Sequence, residues 1–118
     1  MSLRAGENFS FVVINWVANP FRGDKFEELW APAAEAATKY GARAWAFTRS
    51  KDDPLAFMQI AAFEKKIDFE RYWYSEETAE ARIRCGGLYQ VPLLPIWWKS
   101  VGFGLISETI DVEDVEAA

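Results

Sequence analysis

Between residues 8 and 17 the chain alternates two sets of side chains, and both are apolar. Phe9, Phe11, Val13, Asn15 and Val17 fall on one side of an extended strand, and Ser10, Val12, Ile14 and Trp16 on the other. Successive side chains of a strand point to opposite faces, so a sheet with one solvated face alternates apolar and polar residues. This strand instead needs cover on both sides. Residues 55–64 repeat the pattern, with Leu55, Phe57, Gln59, Ala61 and Phe63 opposite Ala56, Met58, Ile60, Ala62 and Glu64. Residues 42–49 divide into a bulky side, Arg43, Trp45, Phe47 and Arg49, and a small side, Ala42, Ala44, Ala46 and Thr48. The small side suits the close approach of a helix or of bulky neighbours. The polar run Ser50–Pro54 between these two strands predicts a hairpin.

Helical spacing replaces this alternation in two places. Phe26, Leu29, Trp30, Ala33, Ala37 and Tyr40 recur at helical intervals. Asp24 is placed as the N-cap, with Glu27 in a capping-box position, and Gly41 as the residue after the end. Pro32 removes one backbone hydrogen bond inside this helix and predicts a kink. Asp68 is placed as the cap of a second helix that buries Phe69, Tyr72 and Trp73. Ser75 is a further N-cap, so this region reads as one bent helix or as two, 68–74 and 76–85. Arg82 and Arg84 then lie near a helix C-terminus, where they complement its dipole. The apolar connector 86–96, with two prolines, belongs over a pocket or across a partner. Residues from Trp97 to about Ile110 supply the last strand, with one indole of the pair Trp97 and Trp98 on each side.

The element order is β-α-β-β-α-β, the ferredoxin-like split unit, an α+β fold with an antiparallel sheet. Both helices cover one sheet face. The other face is apolar, which favours a second copy lying against it as an isologous homodimer.

Composition narrows the chemistry. The 118 residues make a single domain, 1–118, with a core of about 8–107 and an acidic tail of about 108–118. The tail holds five of the 18 acidic residues and no Lys or Arg; the other 13 acids balance the 13 basic residues. With no basic stripe, nucleic acid is not an expected partner. No apolar stretch approaches the roughly 20 residues of a membrane span. The single cysteine, Cys85, cannot form an intrachain disulfide and reads as a small buried hydrophobe, which fits a cytoplasmic protein. Histidine is absent. That excludes Ser-His-Asp and Cys-His nucleophile sites within this chain, argues against histidine-ligated haem, and leaves no expected metal or cofactor.

The run Ala62-Phe63-Glu64, followed by Phe69-Glu70-Arg71-Tyr72-Trp73-Tyr74-Ser75-Glu76-Glu77, carries the third strand into an aromatic-bearing helix. With the element order and length, it resembles the dimeric α+β-barrel superfamily, which includes antibiotic-biosynthesis-monooxygenase-like domains. The resemblance covers roughly residues 8–107. It implies a homodimer and a pocket between sheet and helices, in which cofactor-free relatives oxidise aromatic, polyketide-type substrates. No family catalytic motif aligns with this chain.

Asn15, Gln59 and Tyr72 are the candidate catalytic residues. Asn15 and Gln59 are amides within apolar strands, where a buried amide needs a partner. That partner is backbone, a ligand or the second copy, according to which face each amide occupies. Trp45, Trp73, Tyr89, Trp97 and Trp98 are the candidate pocket aromatics. Two readings follow: a monooxygenase-like or isomerase-like enzyme acting on an apolar aromatic small molecule, or a non-catalytic ligand-binding or structural homodimer.

Overall fold

The computed structural model describes residues 9–104. The strands are β1 (Ser10–Val17), β2 (Ala44–Arg49), β3 (Ala56–Phe63) and β4 (Ile96–Lys99). The helices are α1 (Gly23–Glu35), α2 (Lys66–Trp73) and α3 (Glu76–Arg84), with a 3-10 turn at Ala36–Tyr40. The strands form one antiparallel sheet in the order β2-β3-β1-β4. This is the ferredoxin-like α+β arrangement. No helix among the described residues is long and apolar enough to cross a membrane.

Register assigns the two faces. Val12, Ile14 and Trp16 of β1 lie beside Ala61, Gln59 and Phe57 of β3 on the side that the helices cover. Phe26, Trp30, Ala33 and Ala34 of α1 and Phe69, Tyr72 and Trp73 of α2 bury themselves against these residues. Phe11, Val13, Asn15 and Val17 face the other way, beside Ala62, Ile60, Met58 and Ala56. No helix among the described residues covers this open face; Phe103 packs on one end of it, against Phe9 and Phe11 and beside buried Ala62, while Val17, Met58, Ile96 and Trp98 are substantially exposed on it.

The small side of β2 is on the open face rather than under a helix. Ala44, Ala46 and Thr48 pair with Ala62, Ile60 and Met58, while Trp45, Phe47 and Arg49 share the helix side with Ala61, Gln59 and Phe57. Strand phase is fixed by the partner strand, which decides between the helix and the bulky neighbours that side-chain size alone left open.

Helix starts also differ from expectation. Arg22, not Asp24, occupies the N-cap of α1 and makes no side-chain cap hydrogen bond. Asp24 and Glu27 instead accept hydrogen bonds from Arg49, at 2.9 and 3.1 Å. An ion pair from a distant strand outcompetes the local cap. Lys65, not Asp68, precedes α2, and Asp68 stands in the first helical turn. Ser75 does cap α3, accepting from Thr78 N at 3.2 Å, and it separates two short helices. Past Pro32, α1 gives way at Glu35 to the 3-10 turn, which ends on Gly41 in the left-handed conformation. Strand β4 is shorter than expected and ends at Lys99. The rest of the expected strand, from 105, and the acidic tail lie outside the described residues.

Gly23 is where α1 meets the β2–β3 hairpin. A Cβ there would collide with Arg49 Nη2 and stand 2.9 Å from the Pro54 carbonyl oxygen. Arg49 Nε donates to that same carbonyl at 2.7 Å. The Gly23→Ala variant is expected to lose about 1–3 kcal/mol of stability, as overpacking does. Urea denaturation of the two proteins measures this.

Candidate functional site

A polar network lies buried on the helix side of the sheet. Its centre is Gln59, 2 % exposed in the middle of β3. Its Oε1 accepts hydrogen bonds from Trp16 Nε1 of β1 at 3.2 Å and Trp30 Nε1 of α1 at 2.9 Å. Its Nε2 donates to the Tyr72 hydroxyl of α2 at 2.9 Å. That hydroxyl donates in turn to the Ala33 carbonyl of α1 at 2.7 Å. The sequence dictates the geometry: Gln59 falls in the inward phase of β3, Trp16 in the inward phase of β1, and Trp30 and Tyr72 on the buried stripes of their helices.

Aromatic rings surround this network. Trp16 and Trp30 lie 4.6 Å apart, centroid to centroid, and Trp73 is within 6.3 Å of both. Phe26 lies 5.1 Å from Trp16, and Phe69 stacks near Trp73. The connector closes one side. Tyr89 meets Trp16 edge-on at 5.0 Å, and Leu88 and Leu93 pack on the core. Backbone hydrogen bonds from Asn19 N to Leu88 O and from Gln90 N to Val17 O hold the connector there. Arg82 lies over the Trp73 ring, 4.4 Å from its centroid, and donates to the Trp73 carbonyl at 2.7 Å. It is therefore a packing partner of the aromatic cluster rather than a solvated end charge.

Protonation follows burial. Removal from water pushes the Tyr72 phenol up from 10.0 to about 12, outweighing the opposing effects of its bond to Gln59 and the Arg82 charge. Near neutral pH Tyr72 is a neutral hydroxyl, able to donate and accept hydrogen bonds but not to act as a phenolate. Burial likewise pushes the Cys85 thiol up, as expected of a buried hydrophobe. Glu77 accepts hydrogen bonds from Lys39 and Tyr40, and those bonds hold its carboxyl below the usual range.

The candidates separate. Gln59 and Tyr72 meet in the network, whereas Asn15 lies on the opposite, open face. The two amides share no cavity, because adjacent register positions of β1 and β3 put Gln59 beside Ile14 and Asn15 beside Met58. Gln59 therefore bonds within the chain rather than across an interface. Asn15 borders a shallow depression of about 200 Å³ with Thr48, Ser50 and Met58. Of the aromatics, Trp73, Tyr89 and Trp97 join the helix-side cluster. Trp45 is on the same side but on edge strand β2 and 41 % exposed. Trp98 pairs with Phe11 and faces away from the cluster, on the open side. Sequence reasoning passed over Trp16 and Trp30 as polar partners of Gln59. Their signal was their inward phase together with an indole N–H, which needs an acceptor once buried.

Gln59→Leu leaves two buried indole donors without an acceptor, so a loss of about 2–5 kcal/mol is expected in denaturant unfolding. Tyr72 adds a pH dependence. Its folded-state pKa exceeds its unfolded value, so its contribution is complete below pH 10 and is lost as pH rises towards about 12. Stability should fall across that window, on the order of 2–3 kcal/mol in all. Tyr72→Phe should flatten most of the fall.

No known family's sequence profile matches this chain, and no curated protein matches it in sequence. Solved structures do match. A Nitrosomonas europaea protein described as an antibiotic biosynthesis monooxygenase superimposes with a TM-score of 0.73 at 13% identity, over 84% of this chain and 96% of that one. SnoaB, a cofactor-independent oxygenase from Streptomyces nogalater, gives 0.67 at 14% identity, over 79% and 93%. Rv0793 from Mycobacterium tuberculosis gives 0.69 at 14% identity, over 80% and 97%. The chain therefore has the ferredoxin-like α+β fold of antibiotic-biosynthesis-monooxygenase-like proteins.

Proposed function

We propose that this chain is a homodimeric, monooxygenase-like protein that receives an apolar aromatic small molecule between sheet and helices, without a metal or organic cofactor. The observation that carries the reading is the Gln59 carboxamide, one polar group set among Trp16, Trp30, Trp73 and Tyr72. Flat aromatic rings packed around a few fixed hydrogen-bonding groups suit a ring system bearing a carbonyl or hydroxyl, which would enter by displacing part of this packing. The fold shared with an oxygenase that needs no cofactor supports the same chemistry. An anthrone-type substrate supplies all the electrons itself: its activated CH₂ becomes C=O, one oxygen atom enters the product and the other leaves as water.

The homodimer covers the open face. The strand side chains that point there include Phe11, Val13, Met58, Ile60 and Trp98, and none of them is charged. A surface without charge does not repel its own copy, and burial of this face supplies the driving force.

A non-catalytic homodimer is the second reading. It is favoured by the closure of the network, in which both polar atoms of the Gln59 side chain already have partners within the chain.

Oxygen uptake with anthrone-type polyphenols separates the two. The enzyme reading expects uptake matched to substrate oxidation, reduced about a hundredfold in Gln59→Asn, which withdraws the amide by one methylene. No uptake and no change in tryptophan fluorescence on adding these compounds would leave the non-catalytic reading. Sedimentation equilibrium tests the homodimer: the wild type should be dimeric at micromolar concentration, and Trp98→Glu should be monomeric.

A further inference from the structure

Asn19, Pro20, Phe21 and Arg22 form a tight turn closed by a hydrogen bond from Arg22 N to Asn19 O at 2.9 Å. Proline stands second in the turn. The third residue, Phe21, has φ 67. A turn of this kind calls for glycine or asparagine at that position, because a side chain there is strained against its own backbone. The chain places a phenylalanine there, and its ring is fully exposed, at 101 %. A strained backbone holding a large apolar group in water has no folding rationale within one copy. Such positions persist where the strain serves function.

The ring stands at the edge of a groove of about 600 Å³. Pro20, Pro54 and Leu55 give this groove apolar walls, and Asp24 and Arg49 line its polar side. Arg49 does not recruit an anion there. Its guanidinium already bonds Asp24, Glu27 and the Pro54 carbonyl, and it lies 5.0 Å over the Phe57 ring. An uncharged ring is the better occupant. Arg49 also borders the depression on the open face that holds Asn15, Thr48 and Met58. The groove and this depression thus share Arg49 at the hairpin, next to the face assigned to the second copy.

We infer that Phe21 anchors the homodimer, the ring of each copy seated in the groove of the other. This rests on the homodimer reading given above. A two-fold axis repeats both ring and groove, so one surface patch carries the knob and the hole that an isologous interface requires. An aromatic side chain seated in a desolvated pocket is also the group that contributes most to such an interface.

Phe21→Gly separates association from folding. Glycine takes a positive φ without strain. In the monomeric Trp98→Glu background, the thermal midpoint of Phe21→Gly should therefore hold or rise. In the otherwise unaltered chain, sedimentation equilibrium should show the dimer dissociation constant raised about tenfold or more. If Trp98→Glu dissociates the dimer but Phe21→Gly leaves the constant within about threefold of wild type, the anchor is overturned and the homodimer stands. A lowered midpoint in the Trp98→Glu background also overturns it, because the ring then serves its own fold. A wild type that is monomeric at micromolar concentration removes both the homodimer and the anchor.

Discussion

The structure depends on a single buried carboxamide. Gln59 joins β3 to β1 through Trp16 and to α1 through Trp30, and it reaches α2 through Tyr72, whose hydroxyl returns to the α1 backbone at Ala33. Four elements meet at one side chain. Hydrophobic burial alone would hold helices on a sheet, but it is non-directional. A buried polar group tolerates only the arrangement that satisfies it, because leaving its partners unpaired costs more than their hydrogen bonds contribute. The clamp therefore fixes which helix residues face the sheet. It also fixes the phase of β3, since a slip of one residue would carry Gln59 to the other face and leave both indoles unpaired.

That phase decides what the other face offers. With Phe57, Gln59, Ala61 and Phe63 committed to the helices, Met58, Ile60 and Ala62 must point away, and β1 follows with Phe11, Val13 and Asn15. The apolarity of the open face is thus a consequence of the strand sequences and the inner clamp together. The two amides conspicuous in the sequence are divided by the same logic. One closes the interior; the other stands on the surface assigned to a second copy.

Much of this was legible in the residues. Strand alternation announced two apolar faces because its period is local and strict. Ser75 was readable as a cap because the group it serves lies three residues away. The start of α1 was not, because Arg49, distant in sequence, claims the Asp24 and Glu27 carboxylates. Gln59 could be recognised as an exception in an apolar strand, but its direction depends on pairing with β1. Its indole partners come from β1 and α1, and no spacing rule links positions 16, 30 and 59. Trp45 and Trp98 were grouped with the pocket aromatics by residue type, and register separated them. Phe21 gave no signal, since the turn chemistry around Pro20 leads one to expect glycine at its position.

Hydrogen exchange of the tryptophan side chains tests the clamp most directly. Of the six indole Nε1 protons, those of Trp16 and Trp30 should exchange only through global unfolding, while that of half-exposed Trp45, on edge strand β2 and away from the face assigned to the second copy, exchanges freely. Exchange of the Trp16 and Trp30 protons as fast as that of Trp45 would show that no buried carboxamide holds them, and would contradict the account.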